Sequence, residues 1–312
     1  MNLSFLYCFD NNFNIQALTS IHSLLGKVSE KITLHIIHND ILEFKTISEG
    51  LDKNEMINEI NYYDFSYDLE LLPSINTHIS KATYYRLFIS EYLNKKVKKL
   101  IYLDADIICI KDPIPDLKNC FNLMKNENKE LSAYVESTRE KNPDLFNRLK
   151  LKNNNQFNAG VLLIDFEKWT FNNTSNKLSK ILNERRDELF DYDQEVLNVC
   201  FDDNFTKLEK KFNFQVTNQI GKSYLETIKR EAIFVHYLGK DKPWHFNRIL
   251  LPSSIIYQNE FRNLFNKQLH IIFNLNKRNV LRFLKIIFTF SFLKFKYPLS
   301  YLKYSFIAIF KK

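Results

Sequence analysis

Apolar and polar residues fall in blocks along the first half of the chain. LSFLYCF (3–9) is a continuous apolar run of strand length that ends in the polar Asp10-Asn11-Asn12. From Ile15 to Leu25 apolar positions recur at helical spacing. KITLHIIHN (31–39) reads as a second strand, residues 43–56 as a helix and INYYDF (60–65) as extended. ATYYRLFISEYL (82–93) predicts another helix, and KLIYLDADIICI predicts a strand passing through two carboxylates. SAYVE (132–136) and NAGVLLID (158–165) predict further strands. Strands alternating with helices point to an α/β fold, a mostly parallel sheet with helices on both faces. Ligands in such sheets gather beyond the carboxyl ends of the strands. Asp10, Asp104, Glu136 and Asn158 lie near such ends.

Beyond Leu251-Pro252 the composition shifts to Phe, Ile, Leu, Lys and Arg. The expected division is therefore a body, 1–250, and a basic, aromatic-rich tail, 251–312. The net charge is +8, yet Phe261 to Lys312 alone holds eleven Lys or Arg and no acidic residue, which leaves the rest of the chain at −3. A mildly acidic body argues against nucleic acid as a partner. The longest uncharged stretch of the tail, IIFTFSFL (286–293), is far short of the about 20 residues that cross a bilayer. Arg278, Arg282 and Lys285 form a basic stripe at helical spacing on an otherwise apolar segment. That pattern predicts an interfacial helix on an anionic membrane surface; a basic helix packed on the body is the alternative. The N-terminus reads as a first strand rather than a leader peptide. The four cysteines lack CxxC spacing and read as buried thiols.

The chemistry concentrates at Asp104-Ala105-Asp106. Carboxylates next to a buried strand are paired, hydrogen-bonded or holding a cation. Three readings follow. The pair caps the strand and meets Lys98 or Lys99. Or Asp104 is the nucleophile of a haloacid-dehalogenase-type phosphotransferase, with Asp202-Asp203 as its second acidic pair. Or the two bind a divalent cation that in turn binds a diphosphate. The five glycines permit no GxGxxG or GxxxxGK[ST]. A nucleotide-binding protein without a glycine-rich cradle can neutralise phosphates with a carboxylate-held metal instead. VHYLGKDKPWH (235–245) supplies further parts: His236 after an apolar strand, Gly239 for close backbone approach, and Lys242 before Pro243-Trp244.

YLDADIICIKDP, FNAGVLLID, DQEVLN, HYLGKDKPW and HISKATYYRL (78–87) together resemble glycosyltransferase family 8, in its order and rough spacing over about residues 1–250. The likeness is greatest to the bacterial lipooligosaccharide α-galactosyltransferase branch. The resemblance implies a GT-A fold and a retaining, metal-dependent hexosyltransferase. Its donor would be a UDP-hexose, galactose before glucose, and its acceptor a glycolipid or oligosaccharide of the lipopolysaccharide type. It implies Mn²⁺, with Mg²⁺ as the alternative ion, held by Asp104, Asp106 and His236. Asp10, Asn12 and Phe13 match the uridine positions, and Gly239 and Lys242 the diphosphate positions. Arg86, Asn158, Asp193 and Gln194 match donor-sugar contacts, and Asp104 also reaches a sugar hydroxyl. His78, Ile79 and Thr83 match the segment between donor and acceptor. Glu136 stands where many relatives have Asp, and Lys81-Ala82 also departs from the family pattern. Gln194 takes the position a carboxylate nucleophile would need, with Asp193 beside it, so front-face attack is the expected mechanism. The implied place of work is the cytoplasmic face of a bacterial inner membrane. A peripheral membrane protein without enzymatic activity is the remaining alternative.

Overall fold

The computed structural model describes residues 3–67, 72, 80–217, 221–240 and 242–310. The predicted His78 and Ile79 lie outside the described residues.

The main sheet has seven strands in the order β3-β2-β1-β4-β7-β6-β8. They are β1 (Ser4–Phe9), β2 (Ile32–His38), β3 (Ile57–Asp64), β4 (Lys99–Leu103), β6 (Leu131–Thr138), β7 (Asn155–Asp165) and β8 (Thr206–Lys207). β3, β2, β1 and β4 are mutually parallel, β7 runs against both β4 and β6, and β8 follows β6. Only β7 is thus reversed, and the α/β expectation holds. A second sheet, β5-β10-β9, is built from β5 (Ile107–Cys109), β9 (Phe214–Gln215) and β10 (Phe234–His236).

Residues on β1 alternate between two cores. Leu6 and Cys8 face Tyr84, Tyr85 and Phe88, while Phe5, Tyr7 and Phe9 face helix α1 (Asn14–Leu25) and α2 (Ile41–Ile47). Period-two alternation in a strand with no exposed residue requires apolar cover on both faces. Further along the chain come α3 (Ile89–Tyr92), α4 (Ile114–Asn126), α5 (Pro143–Arg148), α6 (Phe166–Phe171), α7 (Thr174–Glu184) and α8 (Tyr192–Phe201). α9 (Lys222–Glu231), α10 (Ser254–Leu264), α11 (Lys277–Phe288) and α12 (Pro298–Phe310) are the remaining α-helices among the described residues.

Three elements differ from the sequence reading. The expected helix over 82–93 is mostly a 3-10 turn series, Lys81–Phe88, capped by the Ser80 hydroxyl on the Ala82 N–H. The helix expected over 43–56 stops at Ile47, because Gly50 at φ +83° turns the chain into a short 3-10 turn. The strand expected to run through the two carboxylates breaks there. β4 ends at Leu103, the Ile107 N–H bonds the Asp104 carbonyl, and β5 leaves to join the second sheet.

The packing does not follow the compositional break near 250. Tyr257 and Phe261 of α10 lie in one core with Trp244 and Val235, and Ile272 exchanges backbone hydrogen bonds with Trp244 and Phe246. Packing against the body therefore continues past residue 250. Beyond it, α11 and α12 bury Phe283, Ile286 and Tyr301 against Phe246 and Ile249. Leu281, Phe288, Phe290, Leu293, Leu299 and Phe310 stay more than half exposed. Among the described residues, no helix is long and apolar enough to cross a membrane.

Candidate active site

The carboxyl ends of β1 and β4 open onto a cavity of about 480 Å³. β7, being reversed, brings its early residues Asn158, Ala159 and Gly160 to the same edge, and β10 and α8 close the sides. The break after β4 is what makes the site. Asp104 stays on the main sheet, its N–H bonded to the Gly160 carbonyl, while Asp106 goes with the second sheet, its carbonyl bonded to the Tyr237 N–H. Ile107 then pairs with His236 across β5 and β10. One turn thus delivers two carboxylates to an imidazole from a distant part of the chain.

His236 Nε2 lies 3.4 Å from Asp106 Oδ1 and 3.9 Å from Asp104 Oδ2. One ligand atom from each of the three falls within 4.8 Å of the others, a spacing suited to one metal ion. Asp106 Oδ1 is buried and has no hydrogen-bond partner, a costly state that a cation would relieve. Two carboxylates and one imidazole are donors that divalent cations accept. The residues present therefore fit a divalent cation. Asp106 Oδ2 pairs with the Lys242 ammonium, which also donates to the Tyr237 carbonyl at 2.6 Å. Burial pushes the Asp106 carboxyl up, but Lys242 and His236 outweigh it and hold the pKa well below the usual range. The pairing with Lys98 or Lys99 that the strand-cap reading required does not occur; those lysines meet Glu167 and Asp165.

Gly160 has to be a glycine. A Cβ there would sit 2.2 Å from His236 Cε1 and 3.0 Å from Asp104 Oδ2. The backbone of β7 is the floor on which the imidazole rests.

Arg86 is a buried cation in the wall of the same cavity. It stacks on the Tyr102 ring at 4.1 Å, donates to the Ala159 carbonyl at 2.6 Å and pairs with Asp104 Oδ1 at 2.9 Å. Its Nε lies 2.9 Å from Asp193 Oδ2, but the N–H is aimed at the Thr83 carbonyl, so that carboxylate oxygen is left without a hydrogen bond. Burial works against the guanidinium charge, and Asp104 and Asp193 more than offset it, so the pKa is raised. Burial likewise lifts Asp193, with Arg86 and the Thr83 hydroxyl opposing and Asp104 adding, to about 6.

Gln194 diverges from Asp193 as neighbours on a helix must, yet both line the cavity. Its Oε1 accepts from the Ala159 N–H at 3.0 Å and Asn158 Nδ2 at 3.2 Å, and its Nε2 donates to Glu136 at 2.9 Å. Glu136 also accepts from Asn158 at 3.0 Å and Gln215 at 3.3 Å, so it is part of this amide group and not a free strand-end carboxylate. Phe13, Thr83, Gly239 and Lys242 line the same cavity, Gly239 at φ +66°. Asp10 and Asn12 sit beside it, bonded to each other, with Asp10 also taking the Ser80 hydroxyl. Asp202 and Asp203 are elsewhere: they bind the 152–155 loop through Lys152, Asn153 and Asn155. That removes the second acidic pair of the phosphotransferase reading.

Sequence reasoning missed Tyr102, Ser80, Asn213 and the role of Gly160. Tyr102 donates to Asp104 Oδ1 at 2.5 Å, and fully buried Asn213 meets His236 Nδ1 at 2.8 Å. A lone Asn between Phe212 and Phe214 was the available signal, since a buried amide has to find partners.

A largely parallel sheet whose central strand ends in an Asp-Ala-Asp turn facing a histidine defines a GT-A glycosyltransferase. The chain belongs to glycosyl transferase family 8, whose model matches residues 4–248. It is 31% identical over 252 residues to the lipopolysaccharide 1,3-galactosyltransferase of Salmonella typhimurium, covering 77% of this chain and 72% of that protein. General stress protein A of Bacillus subtilis is 27% identical, covering 77% and 86%. A lipopolysaccharide 1,2-glucosyltransferase of Escherichia coli is also 27% identical, covering 76% and 71%. In fold, the chain is similar to the galactosyltransferase LgtC solved with donor and acceptor sugar analogues. The TM-score is 0.69 at 21% identity, over 89% of this chain and 98% of that one.

Proposed function

We propose that this glycosyltransferase is a retaining, metal-dependent hexosyltransferase using a UDP-hexose, galactose before glucose, with a lipopolysaccharide-type glycan as acceptor. One observation carries the donor half: the orphaned Asp106 Oδ1 beside Asp104 and His236, in a cavity that also holds Lys242 and Gln194. The acceptor class is supported by relatives whose names give lipopolysaccharide as their substrate.

Asp104, Asp106 and His236 would hold Mn²⁺ or Mg²⁺, which when bound offsets the charge growing on the departing diphosphate. Lys242, beside Gly239, adds positive charge at the same end of the cavity. Phe13, Asp10 and Asn12 border the uridine end. Arg86 pairs with Asp104 and Asp193 and holds both in place, and the open Asp193 Oδ2 takes a sugar hydroxyl. Thr83 holds the other Asp193 oxygen, and the family resemblance assigns His78 and Ile79 to the segment near donor and acceptor. Gln194 is an amide and a poor nucleophile, so its Oε1 steadies positive charge at the anomeric carbon. The acceptor hydroxyl attacks from the leaving-group face, and a donor phosphate oxygen takes its proton.

The tail is the part that meets a membrane. Eleven cations without an anion, and the exposed Leu281, Phe288, Phe290 and Phe310, support contact with an anionic surface at the inner face of a bacterial inner membrane. The body domain then ends near residue 273.

A panel of UDP-sugars with Mn²⁺, followed by release of free hexose without acceptor, tests the reading. Hydrolysis of UDP-galactose or UDP-glucose that chelation abolishes is the expected result. Equal indifference to every UDP-sugar and to Asp104→Ala overturns it.

A further inference from the structure

Amide side chains look alike in outline, and their orientation is fixed only by what they bond. Here the fixing starts from the backbone. The Gly160 N–H donates to Asn158 Oδ1 at 3.0 Å, and the Ala159 N–H donates to Gln194 Oε1 at 3.0 Å. Both carbonyl oxygens are thereby assigned, because a backbone N–H only donates. Asn158 must then turn its NH₂ to Gln194 Oε1 and Glu136, and Gln194 its NH₂ to Glu136. Asn158 Oδ1 also lies 2.8 Å from Asn213 Nδ2, which makes that group the donor. Asn213 is left with its Oδ1 facing His236 Nδ1 at 2.8 Å. An oxygen there accepts only from a protonated Nδ1. The neutral imidazole then carries its lone pair on Nε2, the nitrogen that faces Asp104 and Asp106.

We propose that Asn213 is a positioning residue that sets the tautomer of His236 for metal binding, and that it takes its own orientation from Asn158 and thus from the β7 backbone. One chain of hydrogen bonds, His236–Asn213–Asn158–Gln194, so joins the metal end of the cavity to the sugar end. Asn213 is completely buried and lines no part of the cavity, so it acts only through its two partners. This inference rests on the metal-dependent reading above. A ring nitrogen that bonds a fixed acceptor orients its imidazole and raises its basicity toward a metal, and losing such a partner weakens binding about 10- to 100-fold.

Two variants separate the ends of the chain. Asn213→Leu keeps the branched outline, in a somewhat larger side chain, and removes both hydrogen bonds. Asn213→Asp keeps the acceptor for Nδ1–H and removes the donor to Asn158. Mn²⁺ affinity is measured by titration of each protein without nucleotide, and donor hydrolysis is measured at saturating Mn²⁺. Asn213→Leu should bind Mn²⁺ about 10- to 100-fold more weakly. Asn213→Asp should bind it within about threefold of wild type, while hydrolysis at saturating metal falls about tenfold or more. Long-range nitrogen–proton NMR should place the His236 proton on Nδ1 in the unsubstituted protein, a readout that needs no variant to fold.

Wild-type affinity in Asn213→Leu, equal loss of Mn²⁺ in both variants, or a proton on Nε2 overturns the proposal and leaves the functional reading intact. An unsubstituted protein that binds no Mn²⁺ overturns both.

Discussion

Adding one methyl group at Gly160 should dismantle the metal site. The Cβ of Gly160→Ala would lie 2.2 Å from His236 Cε1 and 2.8 Å from its Nδ1. Carbon atoms settle at about 3.5 Å or more, so the ring must retreat by about 1.3 Å. The ring is buried and tied to Asn213, and β7 is paired on both sides with β4 and β6, so the ring can give way only by losing its present place beside Asn213 and the carboxylates. Metal–ligand distances tolerate only about 0.2 Å. The displacement exceeds that several-fold, and Asp104 Oδ2 is crowded too. We expect Mn²⁺ affinity to fall at least about 100-fold, roughly 2.8 kcal/mol, with an overpacking cost of about 1–3 kcal/mol in stability. Isothermal titration with Mn²⁺ and a thermal melt read the two effects. Gly26→Ala is the control, since its Cβ meets only carbonyl oxygens at 3.5 and 3.8 Å and should be silent. A Gly160→Ala protein that binds Mn²⁺ like wild type would show that the imidazole is not held where the structure puts it.

Arg86→Lys cannot serve Asp104, Asp193 and the Ala159 carbonyl together; leaving buried carboxylates half-paired costs about 3–5 kcal/mol. The melting temperature should drop and turnover fall about 100-fold, and near-normal turnover would refute the bridging role. Asp193 holds a proton in the folded chain up to about 6, against 3.8 when unfolded. Its share of stability is therefore largest below about pH 4, declines between about pH 4 and 6, and is level above, by up to about 3 kcal/mol. Denaturation midpoints across that range should show the decline vanish in Asp193→Asn, and an unchanged difference between the two proteins sinks the assignment. Truncation after residue 276 uncovers Phe246 and Ile249 but leaves every cavity residue in place, and should give a protein that still hydrolyses donor but no longer sediments with anionic vesicles. Truncation after residue 250 strips Ile256, Tyr257 and Phe261 from the Trp244 core, at about 1.5–3 kcal/mol each, and should give insoluble protein. If the longer fragment stays on vesicles, the tail is not the anchor.

Most of the site was legible because its parts sit in short, chemically unusual stretches. Asp104-Ala105-Asp106 after an apolar strand, and His236, Gly239 and Lys242 after another, stand out from any background, and the structure brings them into one cavity. What the sequence hid is connectivity. Asp106 belongs to a different sheet from Asp104, although only Ala105 separates them. Asn213 and Tyr102 look like ordinary core residues until their partners, 23 and 2 positions away, are in place. Packing was less legible than composition at the start of the tail, because composition reports hydrophobicity and charge, whereas packing of α10 against Trp244 depends on shape.

The sequence by itself determined the α/β class, the carboxylate pair and the absence of a glycine-rich phosphate loop, since each is a local matter of period or residue type. Tertiary structure alone decided that strand β7 runs backwards, that a bare glycine on it supports an imidazole, and that two buried amides, Asn213 and Asn158, tie that imidazole to Gln194. Those are choices about which distant segments touch, and burial enforces them: an unsatisfied polar group or an extra methyl at such a contact costs free energy that no local propensity can offset.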